Sequence, residues 1–160
     1  MLGTGTGRVF AVLLIILAAT GNIGSAEALK SKGKYAGIEL YTSPPKPGVK
    51  YDEDVTPSGP ALKKIKAAID LIYSKSSYSA GKIDFLKKQG RVVMVYDPHL
   101  PDPDQASGGM LLAIFVPSYL RDGDTKESGS KKDYIVAVSR IGILWDLDFL
   151  ASVIVHELVG

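Results

Sequence analysis

An α+β domain built on a small mixed sheet is the fold this sequence predicts. Three observations point there. Two helical stretches precede the main strands, so helix and strand do not simply alternate. The strand candidates are short apolar runs separated by Asp-, Pro- and Gly-rich connectors. A final helical run closes the chain, and its apolar residues go round the cylinder. Length agrees with this: 160 residues suit one domain and a core of useful size. Hydrophobic residues make up 46% and charged residues 22%, a globular composition rather than a disordered one.

Residues 1–28 read as a secretory signal peptide. Arg8 is the one charge before Glu27, and the apolar run "VFAVLLIILAA" follows it. At ~11 residues that run falls well short of the ~20 needed to span a bilayer. The small residues of "GSAEA" then place cleavage after Ala26 or Ala28. The expected location is secreted or periplasmic, with no stable membrane span. The "GTGTG" at residues 3–7 follows no strand, so it is no phosphate loop.

Residues 29–60 form an irregular lead-in that carries five of the nine prolines, with a short strand over 35–41. The domain proper spans 61–160. Its first helix is capped by Ser58 with Pro60 in the first turn. Leu62, Ile65, Ile69 and Ile72 form the apolar stripe, and Lys63, Lys64, Lys66 and Asp70 lie opposite. A weaker helix covers 79–89, with Lys87 and Lys88 at its C-terminal end and Gly90 ending it. "RVVMVY" (91–96) and "MLLAIFVP" (110–117) are continuous apolar strands, so both sheet faces are covered. "YIVAVS" (134–139), flanked by "SGSKKD" and Arg140, has the polar surroundings of an edge strand. The last helix begins near Trp145 or Asp146, with Asp146 and Asp148 in its first turn.

Composition removes several functions. A formal net charge of +2 does not argue for nucleic acid. No cysteine is present, so there is no disulfide, no thiolate nucleophile and no cysteine metal site. The fold holds by packing alone, or by packing plus a metal. No G-x-S-x-G elbow occurs, and Ser152 in mid-helix makes a poor exposed nucleophile.

What remains is "SVIVHELVG", residues 152–160. His156 and Glu157 stand among aliphatic residues, and a carboxylate buried alone costs several kcal/mol. A zinc ion, or water held by one, is a compensating partner. The stretch resembles the zincin metallopeptidases, whose H-E-x-x-H motif sets a zinc-binding histidine beside a glutamate that activates metal-bound water. Gly160 stands where the second histidine belongs, so the match is to the first five positions of H-E-x-x-G-H, the variant of the dipeptidyl peptidase III family. In that variant the second histidine is one residue further on. A five-residue step turns it about 140° from the first, so both reach one metal only through a widened turn, which glycine permits.

The resemblance implies that His156 is the first zinc ligand and Glu157 the general base. It also implies remaining ligands beyond residue 160 and a peptide or protein substrate laid along the edge strand at 134–139. The chain is then the N-terminal portion of an exported metallopeptidase, inactive as it stands. The residues also support a plainer reading. Gly160 ends the helix, His156 bonds a backbone carbonyl, and Glu157 pairs with a base such as Arg140. The chain is then a non-catalytic exported binding module with a basic face built on Lys30, Lys32, Lys34, Lys63, Lys64 and Lys66. Weaker candidates are His99 among Asp97, Asp102 and Asp104, and "DGDTKE" at 122–127; both read first as turns. Tyr119 and Tyr134 are possible oxyanion donors that nothing in the sequence favours over packing.

Overall fold

A computed structural model describes residues 29–45, 47–51, 55–100, 112–115 and 132–159. The expected α+β class is what it shows: three α-helices and a five-stranded mixed sheet among the described residues. Chain order is β1 (Lys30–Tyr35), β2 (Ile38–Thr42), α1 (Ser58–Lys75), α2 (Ser77–Gln89), β3 (Gly90–Asp97), β4 (Ala113–Phe115), β5 (Lys132–Ser139) and α3 (Leu147–Val159). The short 3-10 turn Gly142–Leu144 joins β5 to α3. No helix among the described residues is long and apolar enough to cross a membrane.

In space the strands run β1-β2-β3-β5-β4. β2, β3 and β5 are parallel neighbours, while β1 and β4 are antiparallel edges. The single strand expected over 35–41 is therefore a hairpin. Its turn, Ala36–Gly37, has φ of 49° and 77°, the positive pair that a tight two-residue hairpin turn requires. The larger correction concerns the edge. Residues 134–139 lie inside β5, which pairs with β3 on one side and β4 on the other. Its polar flanks mark where the strand begins and ends, not a free side. Among the described residues, the edge on that side of the sheet is β4.

All three helices contribute to one core with a single face of the sheet. Ile65, Ile69, Ile83 and Ile154 meet Ile38, Leu40, Met94, Val136 and Val138, all fully buried. Alternate residues turn Val93, Val95, Ile135 and Ala137 to the other face, and these too are fully buried. Both faces are covered at β3, as its continuous apolar run implied; the run at 110–117 departs from that expectation, because β4 is an edge strand on which Phe115 is exposed.

Helix ends differ in detail from expectation. Pro57 holds the cap position of α1, and Ser58 is its first helical residue with no side-chain cap bond. α2 starts two residues early because the Ser76 hydroxyl accepts the Ser79 N–H. Asp146 caps α3 by accepting the Phe149 N–H at 2.8 Å. Lys64 reaches across from α1 and donates to the carbonyls of Ile143 and Trp145, fixing the turn that precedes α3.

Candidate functional site

The site lies where α3 passes the open edge of the sheet. α3 is placed by Leu150, Ala151, Ile154 and Leu158, which recur at three- and four-residue steps and are buried. Among the described residues it is not enclosed on most sides, contrary to the sequence expectation. Trp145 and Asp146 just before it, and Phe149, Ser152 and His156 along it, are exposed. The apolar residues at intermediate angles, Val153, Val155 and Val159, are only partly covered. Hydrophobic residues all round a helix fill its core face first, and the rest fall where the fold leaves them.

That geometry separates His156 from Glu157. Successive helix residues differ by about 100°. The turn leaves the His156 ring in solvent and brings the half-buried Glu157 carboxylate against β4. The burial expected of His156 is thus absent. Glu157 does have the partner its burial demands, and that partner is main chain: the Phe115 N–H donates to Glu157 Oε2 at 3.0 Å.

The strand pairing explains why this N–H is available. Ile114 opposes Ala137 and Phe115 opposes Val136, while the Leu112 carbonyl accepts the Ser139 N–H at 3.0 Å. In an antiparallel ladder alternate residues bond inward. Leu112 and Ile114 therefore face β5, and Ala113 and Phe115 present their polar groups outward. Glu157 takes the outward N–H of Phe115.

Electrostatics follow from the same arrangement. Burial raises the Glu157 pKa above the ordinary 4.5, opposed by the Phe115 N–H and by the neighbouring His156. A carboxyl group shifted upward at a strand edge is suited to accept a proton from a group brought to it. Among the described residues, no group of three or more His, Cys, Asp or Glu side chains is placed to hold a metal ion. His156 and Glu157 do not compose a zinc site by themselves.

The other candidates resolve structurally. Because a carbonyl can only accept, His99 Nε2 donates to Pro44 O at 2.8 Å, and Nδ1 shares a hydrogen bond of 2.8 Å with the Tyr51 hydroxyl. Asp97 accepts the His99 N–H, a local turn bond. Asp102, Asp104, Tyr119 and residues 122–127 lie outside the described residues. Ser152 donates to the Asp148 carbonyl one turn back and is no poised nucleophile. Tyr134 is half-buried in β5 and packs against the core. Arg140, the suggested partner of Glu157, is 2% exposed and donates to the Pro98 carbonyl, under the Tyr51 ring.

Two features escaped the sequence reading. One is the partner of Glu157, since every residue but proline carries an N–H. The other is a polar group at the C-terminal ends of the parallel strands, where Thr42, Ser43, Asp97, Ser139 and Arg140 are all buried. A groove of about 360 Å³ between α1, α2 and α3 is floored by Leu71, Ile72, Ala151 and Val155, and neither His156 nor Glu157 lines it. Comparison with protein-family models, with curated proteins and with solved structures finds no match.

Proposed function

We propose that this chain is the N-terminal portion of an exported, zincin-like metallopeptidase, with Glu157 as its proton acceptor and His156 as its first zinc ligand. One observation carries the reading. A helix places a carboxyl group of raised pKa against the outward face of an antiparallel edge strand. An extended peptide adding to that strand by main-chain pairing would lie within reach of the same carboxyl group. The docking edge is β4, in place of residues 134–139. Export is supported by the leader-like layout of residues 1–28.

Zinc would supply Lewis acidity and an activated water. The described residues would supply one ligand for it, His156, and one proton acceptor, Glu157. Its carboxylate takes a proton, and its pKa is raised by burial. In this reading the other ligands follow Gly160. The test is metal analysis and peptide hydrolysis on protein extended through the codons after Gly160, with and without Glu157→Gln. Zinc retained by both and hydrolysis lost in the variant is the expected result. No zinc in the extended protein, or hydrolysis untouched by Glu157→Gln, defeats the proposal. Residues 1–160 alone are expected neither to hold zinc tightly nor to hydrolyse peptides.

The binding-module reading has less behind it. Of the early lysines, Lys34 pairs with Glu39 at 3.1 Å, Lys64 caps the turn before α3, and Lys66 sits over the Tyr35 ring. Lys30, Lys32, Lys34 and Lys63 are exposed, so a basic face would rest on those four.

A further inference from the structure

The two edges of the sheet are protected differently. β1 carries Lys30, Lys32 and Lys34, all exposed, and a bulge at which Gly33 has φ 88°. Charge and irregularity on an edge discourage another strand from pairing. β4, Ala-Ile-Phe, has no charge of its own. Its outward N–H is covered instead by a carboxylate borrowed from α3.

We infer that Glu157 is a latch on the β4 edge: its carboxylate occupies the main-chain position that an extended peptide needs, so docking a peptide and freeing Glu157 are one event. The proposal deepens the peptidase reading and rests on it for the nature of the occupant. Glu157 Oε2 stands 3.0 Å from Phe115 N, the usual length of a ladder hydrogen bond. It takes the role of the carbonyl oxygen of a paired strand. An N–H serves one well-aligned acceptor, so carboxylate and peptide carbonyl compete for it. The exchange is close to balanced, since one N–H···O bond replaces another. What tips it is the further pairing along the strand and the contact made by Phe115, which is 37% exposed.

The test uses the whole chain and a defined probe, the peptide acetyl-Val-Thr-Val-Thr-Val-amide. Backbone amide signals are followed by NMR during titration of wild type, Glu157→Gln and Glu157→Ala. Glu157→Ala removes the competitor, whose charge-assisted bond amounts to about tenfold or more in binding. Its affinity should therefore exceed wild type by about tenfold, with the Phe115 amide among the signals that move. Glu157→Gln keeps a neutral, weaker acceptor and should bind between wild type and Glu157→Ala, which separates loss of the latch from loss of the fold. Equal affinity in wild type and Glu157→Ala overturns the latch. So does a response confined to β1, the absence of binding by Glu157→Ala, or self-association of that variant in place of peptide uptake. Binding of the probe requires no metal. Failure here leaves zinc loading of the extended protein to be judged separately, and failure of zinc loading leaves this result intact.

Discussion

Replacing Gly142 by alanine should destabilise the protein by unseating the strand that carries the Glu157 contact. A Cβ added at Gly142 would lie 2.1 Å from the Leu112 carbonyl oxygen and 2.9 Å from its carbon. The oxygen has to retreat by about 1 Å to reach even the ~3.3 Å of a weak C–H···O contact. That carbonyl holds the start of β4 in place. It accepts the Ser139 N–H at 3.0 Å and the Ser139 hydroxyl at 2.9 Å. Losing both bonds costs about 1 kcal/mol each. The lower backbone entropy of the unfolded alanine chain offsets roughly 0.4–1 kcal/mol. A net loss of roughly 1–1.6 kcal/mol follows. Gly81 is the control. It lies inside α2 with nothing within 4 Å of an added Cβ, so Gly81→Ala should stabilise by roughly 0.5–1 kcal/mol. Urea unfolding of the three proteins measures both, with unchanged m-values confirming a common transition. A Gly142→Ala protein as stable as wild type would refute the steric reasoning, because the opposite signs rest only on what each new methyl group meets.

Two further predictions concern ionisation. Burial pushes the Tyr96 phenol up to about 12, and Tyr35, Tyr41 and Tyr73 are also raised, so ultraviolet titration should show phenols ionising after the ordinary value of 10.0, with the late part reduced in Tyr96→Phe. A raised folded-state pKa means that stability is complete below 10.0 and falls as pH rises toward about 12; Tyr96→Phe should remove that decline, and uniform ionisation of all tyrosines near 10.0 would count against it. Asp133 receives Arg91 Nε and Nη2 at 2.8 and 2.7 Å, and this pairing lowers its pKa. The stabilisation is therefore present above the ordinary 3.8 and lost as pH falls through the lowered value. Both side chains are part-exposed, so Asp133→Asn should cost no more than about 1 kcal/mol at neutral pH. The difference should close in acid and shrink with added salt; a pH-independent cost would point to packing instead.

Much of the architecture was legible along the chain because its causes are local. The Leu62, Ile65, Ile69 and Ile72 stripe fixes which side of α1 is buried whatever lies beneath it. The Val-rich run at 91–96 announces a strand covered on both faces, as β3 is. The pair Ala36–Gly37 was missed as a turn because its preceding residue, alanine, rarely adopts positive φ. The last helix misled more deeply. Its composition signalled enclosure, but enclosure depends on neighbours, and among the described elements those neighbours cover only the side carrying Leu150, Ile154 and Leu158.

The sequence by itself determined the α+β class, the order of the helices and main strand runs, the absence of thiol chemistry and the adjacency of His156 and Glu157. Tertiary structure alone decided that β4, not residues 134–139, forms the edge, that His156 faces solvent, and that Glu157 meets the Phe115 N–H. The physical reason is the range of the interactions involved. Helix and strand periodicity is written in side chains a few residues apart, whereas strand order and the direction of a main-chain N–H depend on pairing between segments far apart along the chain, in groups that almost every residue carries alike.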